Sequence, residues 1–106
     1  MRRHEVRPEA AEELAEAATW YEETAPGLGF DLVDEYEACL DRALEHPGSG
    51  RIVATTSAGN SVRRYRLRRF DRYAILLADI AGIPTVLALE CSSRKPGYWH
   101  ERLKER

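Results

Sequence analysis

Three strand-like runs, Val62 to Arg69, Tyr73 to Asp79 and Thr85 to Cys91, are joined only by short turns at Phe70-Asp71-Arg72 and Ala81-Gly82-Ile83-Pro84. A parallel connection needs a crossover of about a dozen residues or more, so links this short permit only antiparallel neighbours. Ala74-Ile75-Leu76-Leu77-Ala78 is apolar throughout and reads as the most buried strand. In the last run Leu87, Leu89 and Cys91 alternate with Val86, Ala88 and Glu90, which places Leu87 and Leu89 together on the face toward any helices. In the first run the two-residue period puts Arg64, Arg66 and Arg68 on one face and Tyr65 and Leu67 on the other. The arginine face cannot be core.

Helical periodicity precedes these strands. His4 to Arg7 reads as a short first strand, ended by Pro8, whose missing N–H is harmless at the first position of a helix. From Pro8 to about Thr24, Ala10, Leu14, Ala17 and Tyr21 follow the helical period, with Ala11, Ala18 and Trp20 broadening the apolar side. Glu9, Glu12, Glu13, Glu16 and Glu23 take the solvent side, and no Lys or Arg occurs between Pro8 and Asp41 to pair with them. This repulsion implies help from sheet arginines or from another chain. Pro26-Gly27 breaks the helix, and a second follows from about Leu28 to His46 with Val33, Tyr36, Leu40 and Ala43 at core spacing. The two helices form an antiparallel hairpin. Pro47 to Ser61 shows little periodicity beyond Ile52-Val53 and reads as a long loop. The expected class is α+β: a short N-terminal strand, an antiparallel helical hairpin and a three-stranded antiparallel meander, in one domain over residues 1–106.

The net charge of −2 conceals a split. Residues 1–50 hold 4 Lys/Arg against 13 Asp/Glu, and residues 51–106 hold 12 against 5. The second half therefore presents a positive field to which nucleic acid, an acidic protein or an acidic peptide are all admissible, unless the halves neutralise each other within the fold. His4, His46 and His100 lie in different elements and Cys39 and Cys91 lack companion ligands, so no metal is expected. Phosphate-loop, dinucleotide and serine-elbow motifs are absent from the sequence, and no cofactor is expected. The first residues lead into no apolar stretch of signal-peptide length, and no run approaches the ~18 residues that span a bilayer, so a cytoplasmic protein with two free thiols is expected.

After the last strand comes Arg94-Lys95-Pro96-Gly97-Tyr98-Trp99, where cations and aromatics meet at a rigid turn. Together with Trp20-Tyr21-Glu22, Pro26-Gly27-Leu28-Gly29 and the stretch Val62 to Tyr73, this segment resembles the RelE/ParE family of bacterial type II toxins, and is closer to the ParE branch. The resemblance covers nearly the whole chain. It implies a toxin that inhibits growth by binding DNA gyrase and is neutralised by a cognate antitoxin in a heteromeric complex. Target or antitoxin contacts would then fall on Arg64, Arg66, Arg68, Arg94, Lys95, Tyr98 and Trp99, with Arg, Tyr and Trp as the residue types that dominate binding energy. The alternative within the family is a RelE-like, ribosome-dependent endoribonuclease acting on mRNA, whose catalytic positions match Arg64, Arg66, Arg94 and Tyr98. A third is a non-toxic member that only binds.

The endoribonuclease reading demands a base. Arginine stays protonated and can hold a phosphate but is a poor proton shuttle. Ala74 stands where that branch has a further basic residue, and Cys91 where relatives often have His. Tyr98 is left as the base, provided Arg94 and Lys95 lower its pKa. Trp99 is read as a lid packed back on the sheet in preference to an exposed contact. Arg64 and Arg66 are open to pairing with helix glutamates or to binding a partner.

Overall fold

The computed structural model describes residues 3–104, so the single-domain reading of 1–106 reaches past it at residues 1, 2, 105 and 106. β1 (Glu5–Val6) is followed by α1 (Pro8–Thr24) and α2 (Leu28–Glu45), then a 3₁₀ turn (Pro47–Ser49). β2 (Arg51–Thr55), β3 (Ser61–Arg66), β4 (Tyr73–Ile80), β5 (Ile83–Cys91) and a last 3₁₀ turn (His100–Leu103) complete it. The class is α+β as expected, but the sheet is not a three-stranded meander. It is a mixed five-stranded sheet in the order β1-β5-β4-β3-β2, with β1 parallel to β5 and the other pairs antiparallel.

The additional member of the meander is β2, which occupies the stretch expected to be a loop. Its residues are almost all exposed, so it carries no alternation for a sequence reading to detect. It is anchored from outside instead. The Tyr65 hydroxyl donates to the Pro47 carbonyl at 2.6 Å, and Arg63 donates to the Gly50 carbonyl at 2.7 Å. β3 ends at Arg66 rather than Arg69, and the turn between β4 and β5 is shorter than expected. Only Ala81 and Gly82 remain in it, both at positive φ (53° and 79°), the geometry of a two-residue turn that matches strand twist.

Leu87 and Leu89 do not share a face. Leu76 pairs with Ala88 but Leu77 pairs with Val86, so Leu87 is an extra residue in β5. This bulge shifts the alternation by one. Leu89 and Val86 join Tyr65, Leu67, Ile75 and Leu77 under the helices, where Leu32, Tyr36, Leu40 and Leu44 of α2 meet Ala10 and Ala17 of α1. Leu87 and Ala88 face the other way, packing with Val62, Leu76 and Ala78 against Trp99. Both faces of the sheet are therefore covered, one by the hairpin and one by the C-terminal segment.

At the hairpin turn α1 caps α2. The Glu22 carboxylate accepts the backbone N–H of Gly27 at 2.9 Å and of Gly29 at 3.0 Å, groups that a helix start leaves without intrahelical partners. Gly29 lies so close to α1 that a Cβ there would fall 2.5 Å from the Ala18 carbonyl oxygen.

Candidate functional site

The C-terminal segment reaches its place through two arginines. Arg7, 6% exposed, donates from Nε to the Arg102 carbonyl at 2.9 Å and from Nη2 to the Lys104 carbonyl at 2.8 Å. Arg102 forms an ion pair with Glu13 of α1 at 2.9 Å, both side chains being 13% exposed. The same two residues complete β5, which β1 flanks only at Thr85 and Val86. Arg102 donates to the Leu87 carbonyl in the bulge at 3.1 Å, and Glu13 accepts the Leu89 N–H at 3.1 Å. An ion pair thus does the work of a missing strand.

Tyr98 lies inside this arrangement. The guanidinium of Arg94 stands 4.3 Å from its ring centroid and that of Arg102 5.0 Å away. Its hydroxyl is buried without a hydrogen-bond partner. Burial raises its pKa, and the Glu13 carboxylate raises it further, although no hydrogen bond of acceptable geometry joins the two. The pull of Arg102 and Arg94 is the weaker influence. The shift expected for a base, downward under Arg94 and Lys95, has the opposite sign. Trp99, at 4% exposure, is the lid and not an exposed contact, with His100 stacked on it at 4.4 Å.

The arginines of β3 and of the turn after it form a second group, separated from Arg94 and Tyr98 by β4 and β5. Arg64, opposite Leu76 of β4, reaches diagonally to Glu90, which is paired with the fully buried Ala74; Nε lies 3.1 Å from Oε1 but off line for a hydrogen bond. Glu90 is consequently engaged by Arg64 and not by Arg94. Arg66 and Arg68 are exposed, and the Arg68 backbone N–H donates to Glu35 of α2 at 2.8 Å. Lys95 is exposed at the turn before Gly97. Of the residues singled out by the sequence, Arg94 and Tyr98 meet, Arg64 turns to Glu90, and Arg66, Arg68 and Lys95 remain open to solvent.

Sequence reasoning missed Glu13, Arg102 and Arg7. Glu13 looks like any acid of a solvated helix face, and Arg102 like any cation of a polar tail. No local signal marks a pair 89 residues apart. The two thiols also diverge. Burial pushes Cys39 up to about 11. For Cys91 burial acts in the same direction, but hydrogen bonds with Ser93 and the charge of Arg72 outweigh it and leave the thiol below its ordinary value. Among the described residues no His, Cys, Asp or Glu cluster could hold a metal ion, and no helix is long and apolar enough to cross a membrane. Comparisons with protein families, curated proteins and solved structures find no match for this chain.

Proposed function

We propose that this chain is a ParE-like toxin of a type II toxin-antitoxin pair, working in the cytoplasm by binding DNA gyrase and not by cleaving a substrate. The observation that carries the reading is the contrast between its cations and its one candidate base. Arg66, Arg68, Arg94 and Lys95 are exposed and have no carboxylate at ion-pair distance among the described residues, as binding anchors require. Tyr98 is held protonated by burial and by Glu13, a poor setting for the base of a ribonuclease. An antitoxin segment with acidic side chains over Arg66 and Arg94 would neutralise the same surface in a heteromeric complex.

The test is growth arrest on inducing the chain without antitoxin in a bacterium, with pulse-labelled DNA and protein synthesis followed over the first minutes. DNA synthesis fails first on this reading, Arg94→Ala weakens the arrest, and Tyr98→Phe leaves it nearly intact. Translation collapsing first, with Tyr98→Phe inactive yet folded, would transfer the chain to the mRNA endoribonuclease reading. A folded protein that arrests nothing would make it a binding module.

A further inference from the structure

β2 begins opposite Arg64, so β3 from Tyr65 onward has no neighbouring strand on its outer side. The C-terminal end of α2 and the 3₁₀ turn after it close over this open edge. They leave a cavity of about 290 Å³ whose lining includes Cys39, Arg42, His46, Ser49, Arg66 and Arg68. Arg42 and Arg68 both border it, and their charges act on the buried Cys39 thiol, although the Arg68 side chain is also open to solvent. Cys39 itself stays a neutral thiol and contributes no negative charge at neutral pH.

The positive charge of this notch is only partly compensated. Arg64, which also borders it, is engaged by Glu90. Glu35 stands 3.5 Å from Arg42 and accepts the backbone N–H of Arg68, while no carboxylate pairs with the guanidinium groups of Arg66 and Arg68 among the described residues. Arg42, Arg66 and Arg68 against one carboxylate leave two net positive charges around the notch, where the carbonyl end of α2 also lies. Like charges held close together repel one another, and an anion placed between them relieves the repulsion.

We propose that this notch binds a phosphate monoester. Its dianionic head group matches the uncompensated charge, whereas a single carboxylate or a phosphodiester supplies half of it. Guanidinium forks suit tetrahedral oxyanions through paired N–H···O bonds. The volume, about 290 Å³, is at the lower end of the ~300–1,000 Å³ typical of small-molecule sites and is ample for a phosphate head group. A sugar phosphate and the phosphorylated 5′ end of a nucleic acid carry the same group. The site stands whether or not the chain arrests growth, because binding and toxicity are read by separate assays.

The experiment is calorimetric titration of the full chain at low salt with glucose 6-phosphate, with a 5′-phosphorylated tetranucleotide and with the same tetranucleotide lacking the phosphate. One or both phosphorylated ligands bind, and the dephosphorylated one binds at least tenfold more weakly. Arg66→Gln and Arg68→Gln each lower affinity about tenfold, the loss of one charge-assisted contact, with circular dichroism unchanged. Arg51→Gln, on the exposed face of β2, leaves it unchanged. Binding of the sugar phosphate identifies a small-molecule source, and binding of the phosphorylated tetranucleotide alone identifies a nucleic-acid end. Equal binding with and without the phosphate, indifference to both substitutions, no binding, or equally strong binding of a short polyglutamate peptide overturns the proposal.

Discussion

Removing the Arg102 side chain tests whether an ion pair really completes the edge of β5. In Arg102→Met the aliphatic stem is kept, but Glu13 loses its counter-charge and the Leu87 carbonyl loses its donor. Breaking a buried pair by deleting one partner costs about 3–5 kcal/mol, and the 13% exposure of each side chain admits enough water to put the expectation at the lower end, about 3 kcal/mol. For a domain of this size that corresponds to a fall in Tm of roughly 12–24 °C. The second half of the cycle is Glu13→Gln in the same background. Gln keeps an oxygen to accept the Leu89 N–H and removes the stranded charge, so the double variant should recover about 1–2 kcal/mol of the loss. Urea unfolding of the wild type, both singles and the double measures all four corners. A loss below about 1 kcal/mol for Arg102→Met, or a double variant less stable than that single, would show that the edge is held by packing alone.

Three further outcomes are expected. Gly29→Ala improves helix propensity but drives a Cβ to 2.5 Å from the Ala18 carbonyl oxygen, so α1 and α2 must separate and urea denaturation should register a net loss of about 1–3 kcal/mol. Iodoacetamide at neutral pH should label Cys91 and leave Cys39 unmodified until the chain unfolds, since the first thiol is lowered and partly exposed and the second raised and buried; equal labelling by mass spectrometry would contradict this. Stability should fall at alkaline pH. Cys39 is raised from 9.0 to about 11, and burial also raises Tyr36, Tyr65, Tyr73 and Tyr98, so the unfolded chain loses these protons first. Their contribution is complete below about pH 9 and disappears as pH climbs through the folded values, with roughly 2–3 kcal/mol from Cys39 alone. A denaturation midpoint unchanged between pH 8 and 11 would refute that linkage.

The helices were legible because their boundaries are chemical. Pro8 opens α1, Pro26-Gly27 ends it, Pro47 stops α2, and the observed bounds agree with those expectations to within a residue. β4 was equally clear, as Ala74 to Ala78 are all buried. β2 was not, because an exposed edge strand held by Tyr65 and Arg63 has its reasons in other segments. The bulge at Leu87 was invisible for a similar cause: alternation in β5 is intact in the sequence and broken only by pairing with β4. At the candidate site, sequence proximity suggested that Arg94 and Lys95 govern Tyr98. Glu13, a whole sheet away in sequence, governs it together with burial.

The clasp of Arg7 and Glu13 on the C-terminal segment joins groups 95, 97 and 89 residues apart. Contacts of such separation are formed late in folding, after local units such as the β4–β5 hairpin with its two-residue turn have closed. Substitutions in the hairpin should therefore slow refolding. Substitutions at Arg7, Glu13 or Arg102 should leave the refolding rate nearly unchanged and accelerate unfolding, so that the lifetime of the native protein is set by the clasp.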